Sequence, residues 1–448
     1  MTNSPADLTQ QLLDAAKRAG ADSADAIALS GTALSIDVRA GQLEQAERAE
    51  GSDIGLRVFV GRRSAIVSAS DTRPETMTAM ADRAVAMARE APEDPYAGLA
   101  DPSQLATDWD VAALELHDPS DEPAPSALQD DARRAEAAAL AVEGITQVQS
   151  ASASYSAQDV ALAASNGFAG SYRRSSRSLS CVAIAGTGTG MERDYDGDSR
   201  TFQSDLRSPE EIGTTAANRT LERLNPRRPK TGAYPVLFDE RIASSLIGHL
   251  MMAINGASIA RGSSFLRDAL GTQVLPDALS LTENPHRPRA GASRPFDAEG
   301  LPTRQRKIID NGTLTGWTLD LANARKLGLE STGNAARSVS GGVSPTAWNL
   351  ELTQGTASKQ DLMAQMGTGL LVTSMIGSTI NPNTGDYSRG AAGWWVENGE
   401  PVYPVSGVTI AGNLRDMLRG LIPANDARSY LSRVVPSLLV EGLTLAGD

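Results

Sequence analysis

Asn225-Pro226-Arg227-Arg228-Pro229-Lys230 is the stretch on which the fold turns. Two prolines bracket a basic run without apolar periodicity, so a domain boundary is expected there. After it, residues 234–238 read as an apolar strand, and a helix starting near Asp239 carries Ile242, Leu246, His249, Leu250 and Ile254. Most of the remaining chain reads as β structure with long turns. Asn311-Gly312 and Asn398-Gly399 mark hairpins, the second joining Trp394-Trp395-Val396 to Val402-Tyr403, and short helices are expected over 322–327 and 360–371.

Upstream of the boundary, helices and strands are mixed. Ser4 reads as an N-cap with Pro5 at the first helical position, and Leu8, Leu12, Ala15, Ala16 and Ala19 recur at helical spacing until Gly20. Alternation at Leu34, Ile36, Val38 and at Leu56, Val58, Val60 predicts half-buried strands, with a turn at Gly61. Pro74 opens a helix whose stripe is Met77, Met80, Ala81, Ala84, Val85 and Ala88. Residues 91–125, rich in Pro, Asp and Ala, read as a long surface connection containing His117. Ser126 with Gln129 suggests a capping box for a helix to about Val142, and Ser208 with Glu211 another. Between them, Asn166-Gly167 predicts a hairpin within strands running from Ile145 to Ala185.

Composition narrows the function classes. Forty-one Lys and Arg against 54 Asp and Glu give a net charge of −13 over 448 residues, which disfavours direct binding to nucleic acid or to an anionic membrane. Cys181 is the only cysteine, so no intrachain disulfide forms and a reducing cytosol is expected. Residues 1–7 lack a basic region followed by an apolar core, and the apolar window 246–254 is too short to span a bilayer, so neither export nor membrane insertion is expected.

Common catalytic motifs are missing. Lys230-Thr231 lacks the preceding glycine of a phosphate-binding loop, and Gly186-Thr187-Gly188-Thr189-Gly190 leads into Met191-Glu192-Arg193-Asp194 rather than a helix, so it reads as a hairpin loop. Three histidines, His117, His249 and His286, cannot build a His-rich metal cage, and no G-x-S-x-G elbow supports a serine triad. His249 reads first as a helix histidine at a core edge, while His117 and His286 read as loop residues. The basic clusters Arg173-Arg174-Arg177 and Arg304-Arg306-Lys307 read as solvated faces, with contact to an acidic peptide or nucleic acid as their functional alternative.

Five blocks in order carry a resemblance: 55–61 (GLRVFVG), 255–258 (NGAS), 261–266 (RGSSFL), 327–335 (LGLESTGNA) and 386–393 (DYSRGAAG). Together they resemble the TldD/PmbA family, on its PmbA (TldE) branch, nearly end to end. The resemblance implies an α+β fold: an N-terminal α/β domain over residues 1–225 with a mixed sheet and helices, and a β-rich, barrel-like C-terminal domain over 232–448. It also implies a cytoplasmic heterodimer whose TldD-like subunit carries zinc and a metallopeptidase site, with a homodimer as the state of this chain alone.

In the TldD branch the metal motif is H-E-x-x-x-H. The matching stretch here is Ser244-Ser245-Leu246-Ile247-Gly248-His249, so Ser244 and Ser245 stand where the first histidine and the glutamate belong and only His249 agrees. A neutral hydroxyl is a poor zinc donor and no general base at neutral pH. The family's C-terminal cysteine ligand is missing too, since residues 427–436 hold neither Cys nor His. The resemblance therefore implies no metal and no catalytic residue in this chain, which would wall a chamber for peptides or unfolded protein segments around its partner's zinc. Arg261, Arg294, Asp297, Glu299 and Arg389 are the candidate substrate or interface residues, because they are charges set in Gly/Ser-rich blocks; loop packing or salt bridges are the alternative for each. Two other functions stand beside this one: a self-sufficient metallopeptidase using His249 with Asp297 and Glu299, and a non-enzymatic regulator of DNA gyrase, after the family's older label.

Overall fold

The structure is a computed structural model describing residues 4–448; the part of the leader reading that falls on residues 1–3 lies outside the described residues. The first half runs α1 (Pro5–Ala19), β1 (Ser23–Arg39), β2 (Gln42–Val60), β3 (Arg63–Ala69), α2 (Pro74–Glu90), α3 (Pro125–Leu140), β4 (Ile145–Ala164), β5 (Ala169–Ala185), β6 (Glu192–Arg200) and α4 (Pro209–Leu221). Its six strands form one sheet in the order β3-β2-β1-β4-β5-β6. The α+β class holds, but this sheet is antiparallel throughout rather than mixed. Two-residue turns join β1 to β2 and β2 to β3, and four residues join β4 to β5; connections this short can only reverse the chain. The glycine-rich stretch 186–190 is likewise the turn between β5 and β6.

Period-two alternation decides which face the helices cover. Ala24, Ala26 and Ala28 at one end of β1 pack under α1 and α2, while Leu34, Ile36 and Val38 at the other end pack under α3 and α4. The opposite face, with Leu29, Gly31 and Ala33, carries no helix and lines a cleft instead. Helix ends follow local chemistry: Ser4 and Asp7 form a reciprocal capping box and Gly20 closes α1 at φ 92°. Of the box expected at Ser208, one half forms: the Ser208 hydroxyl accepts from the Glu211 N–H. The box expected at Ser126 is not formed; Pro125 takes the first helical position and Ala124 is the N-cap, which puts Ser126 inside α3. The outer part of β2, residues 42–51, projects exposed.

Residues 91–125 are more than a surface connection. Ala100, Ala106, Leu114 and Leu116 are buried, and Arg325 of the second half donates to the carbonyls of Tyr96, Gly98 and Leu99. The segment straps the two halves together.

The second half opens with β7 (Gly232–Phe238) and α5 (Glu240–Ala253). β7 pairs in parallel with strand Gly369–Ile380 and antiparallel with Leu438–Ala446. Strands Asp386–Glu397 and Glu400–Asn413 continue the sheet, and residues 409–411 pair with 444–446, closing a five-stranded barrel. Its core packs Val236, Phe238, Leu246, Leu250, Val372 and Ile410. The Asn311-Gly312 and Asn398-Gly399 turns form with both residues at positive φ, as a type I′ hairpin requires. The helix expected over 360–371 is Lys359–Met366 only: Gly367, at φ 66°, stops it, and Gly369 begins a barrel strand.

Candidate functional site

Helix α5 carries the motif stretch. Asp239 caps it by accepting from the Arg241 N–H at 3.1 Å. Ser244 and His249 are five residues apart, and at about 100° per residue they project roughly 140° apart. Ser244 faces a cleft of about 1070 Å³ between the helix-free face of the first sheet and loops of the second half. His249 faces a separate cavity of about 380 Å³ with Phe265, Ile380 and Arg261 in its wall. The two motif positions do not converge on one point.

His249 is 9% exposed and packs edge-on against Tyr387, ring centroids 5.9 Å apart. Neither ring nitrogen has a hydrogen-bond partner, and Ser245 Oγ one turn earlier is also buried without one. Burial, reinforced by the nearby Arg389 guanidinium, lowers the imidazole pKa to about 4. The ring is therefore neutral at physiological pH. Its NMR resonances should stay flat between pH 5 and 8; a titration midpoint near the ordinary histidine value of about 6.5 would show that the cavity is wetter than this packing.

Zinc takes four donors in structural sites and three protein donors in catalytic ones. Around His249 stand hydroxyls and the cations Arg261 and Arg389, and loop 427–436 supplies no thiolate or imidazole. No three His, Cys, Asp or Glu side chains gather in a metal-binding group among the described residues. This donor set does not fit zinc.

The five candidate charges fall into two groups. Arg261 is exposed at the wall of the His249 cavity, and Arg389 Nε donates to the Gly377 carbonyl at 2.7 Å. Arg294, Asp297 and Glu299 lie instead where the two halves meet. Arg294 donates to the Ser293 carbonyl at 2.7 Å, with its guanidinium over Trp348. Asp297 accepts from the N–H groups of Glu299, Leu301 and Ala335 at 2.9, 2.9 and 3.1 Å. Glu299 accepts from the Leu321 N–H at 2.8 Å and lies 3.8 Å from Arg57. Both carboxyls are buried where the halves meet, and Asp297 with Arg294 lines a small cavity of about 180 Å³ there.

Sequence reasoning missed the rest of that seam. Arg57 of β2 donates to Asp25 of β1 at 2.8 Å, and the other Asp25 oxygen accepts from Arg337 of the second half, whose side chain is fully buried. Arg57 was legible only as the outward partner of Leu56 and Val58. Its face meets the second half rather than water.

Burial raises Glu299 to about 8 against the pull of Arg57, and raises Asp297 to about 6 against its backbone hydrogen bonds. A carboxyl with a raised folded pKa binds more protons folded than unfolded, so stability falls as pH rises from the unfolded value, about 4.3, through the folded one. Urea midpoints should therefore drop between pH 5 and pH 8 more steeply for the native chain than for Glu299→Gln. Parallel curves would show that Glu299 ionises normally.

Family models described as PmbA/TldA metallopeptidase domain 1, central domain and C-terminal domain match residues 24–88, 118–224 and 231–447. The chain is 39% identical over 428 residues to the Metalloprotease PmbA of Escherichia coli O157:H7, covering 95% of this chain and 93% of that one. Among solved structures, a protein from Bacteroides thetaiotaomicron described as a modulator of DNA gyrase superposes with a TM-score of 0.90 at 28% identity, covering 98% of both chains. TldE from Thermococcus kodakarensis shares the fold, with a TM-score of 0.84 at 20% identity over 98% of this chain and all of its own. With three family domains matched in order and a relative at this identity along nearly its whole length, the chain belongs to the PmbA/TldD family of metallopeptidase-related proteins, on its PmbA branch.

Proposed function

We propose that this chain is the non-catalytic, TldE-type subunit of a cytoplasmic heterodimer with a TldD-like metallopeptidase, and that it shapes the chamber through which peptides or unfolded protein segments reach the partner's zinc. The observation that carries this reading is α5, where a family metal motif is reduced to one uncharged imidazole that shares no space with Ser244. Arg261 and Arg389, near one cavity, are its first interface or substrate contacts. No helix among the described residues is long and apolar enough to cross a membrane, and the single buried Cys181 suits a reducing compartment.

Co-expression with a TldD-like chain should yield a stable one-to-one complex on size exclusion, and the chain purified alone should hold no stoichiometric zinc. Zinc bound to the lone chain and lost on His249→Ala would instead make it a metallopeptidase in its own right. The gyrase description of the Bacteroides relative supports a second reading, regulation of gyrase. A net charge of −13 weighs against binding the duplex itself, though not against binding gyrase. Recovery of gyrase subunits without a TldD-like chain in a pull-down would favour that reading.

A further inference from the structure

The cleft between the halves gathers guanidinium groups, several of which no carboxylate of the chain pairs with. Its floor is the helix-free face of the first sheet, and its far wall is formed by loops 287–291 and 429–433. Five arginines line it. Arg289 is neutralised by Glu115 at 3.0 Å and Asp205 at 3.1 Å, and Arg200 by Asp198 at 2.9 Å. Arg174, Arg287 and Arg433 have no carboxylate at ion-pairing distance among the described residues. Arg174 donates to the Gly291 carbonyl at 2.5 Å, and burial, with Arg294 adding to it, pulls its pKa down to about 10. Arg287 donates to the carbonyls of Leu431 (3.0 Å) and Ser429. Arg433 is exposed.

Of the lining acids, Glu50 pairs with Arg48 at 2.8 Å and Asp205 with Arg289 at 3.1 Å, and Asp53 has no ion-pair partner among the described residues, while three of the lining guanidinium groups have no carboxylate one. Gathering like charges in a partly enclosed space is unfavourable unless a ligand brings the counter-charge. In a chain of net charge −13, such a concentration is local and directional.

We propose that this cleft binds an acidic, extended polypeptide segment whose Asp or Glu carboxylates pair with Arg174, Arg287 and Arg433. The guanidinium fork matches a carboxylate in two parallel hydrogen bonds. Ser156, Ser176 and Ser432, also in the lining, offer hydroxyls to the segment's main chain. Phosphates would fit the same forks, but single-stranded nucleic acid also needs aromatic faces for its bases. The one aromatic ring in the lining, Tyr430, is already covered by the Arg200 guanidinium, 3.3 Å from its centroid. The site belongs to this chain alone, so it does not stand or fall with the heterodimer.

Fluorescence anisotropy on the purified full chain tests it, using a labelled unstructured peptide of about ten residues alternating Glu and Ala, its Gln counterpart, and a thymidine oligonucleotide of equal charge. The Glu peptide should bind roughly tenfold or more tightly than either of the others and weaken with added salt. Arg433→Gln, at an exposed position that leaves the fold intact, should lower affinity about fivefold or more, and Asp53→Asn should raise it. Arg174→Gln should act like Arg433→Gln; if that half-buried change unfolds the chain, Arg433→Gln decides. Equal binding of the Gln peptide, tighter binding of the oligonucleotide, or an Arg433→Gln protein with unchanged affinity would overturn the proposal.

Discussion

Hydrolysis of an unfolded peptide should appear only when this chain is mixed with a TldD-like partner, and His249→Ala should leave most of that activity intact. Zinc hydrolysis needs a metal held by several donors and a base near neutrality, the base alone contributing about 10²–10⁴-fold. Here the imidazole has no second imidazole, thiolate or carboxylate in its cavity, and the neighbouring hydroxyls cannot take a proton at neutral pH. The lone chain should therefore cleave at least about a hundredfold more slowly than the mixture. Single-turnover assays of each chain and of both together read this directly. Comparable cleavage by the lone chain, or loss of the mixture's activity on His249→Ala, would move catalysis into this subunit.

Arg337→Ala should be the most damaging single change at the seam. Its side chain is fully buried and donates to Asp25, itself 2% exposed, which also receives Arg57. Losing a buried hydrogen bond to a charged group costs about 1.5–3 kcal/mol, and Arg57 keeps the Asp25 carboxylate from being stranded. Asp25→Asn added to Arg337→Ala should deepen that loss, because the buried Arg57 guanidinium then loses the carboxylate it pairs with. Urea denaturation followed by fluorescence, with limited proteolysis of the 91–125 strap as a second probe, would show whether the halves separate before either unfolds. A loss below about 1 kcal/mol would mean that the pair is wetter and weaker than its burial implies.

Helix ends and hairpins were legible because they are local. Ser4, Gly20 and Ser208 bring their own caps, Pro74 brings a φ already fixed for a first helical position, and Asn-Gly brings its own turn. The strands' full reach was not, because residues 42–51 are exposed and polar and show no alternation to read. The antiparallel pairing was hidden behind a fold expectation even though the short connections already required it. Among the candidate charges, Arg261 and Arg389 could not be told from Arg294, Asp297 and Glu299 in sequence, since what separates them is whether the first half packs over them. Arg57 shows the same limit: a charge opposite an apolar stripe reads as facing water until a second layer is found over it.

The order in which the barrel strands join has a consequence for synthesis. β7 emerges early in the second half but sits between Gly369–Ile380 and Leu438–Ala446, so both of its neighbours are made long after it. The first sheet is complete once β6 is made and can settle while translation continues. The barrel must wait with an unpaired apolar strand until Leu438–Ala446 is made, and over that interval its edges are open to mispairing.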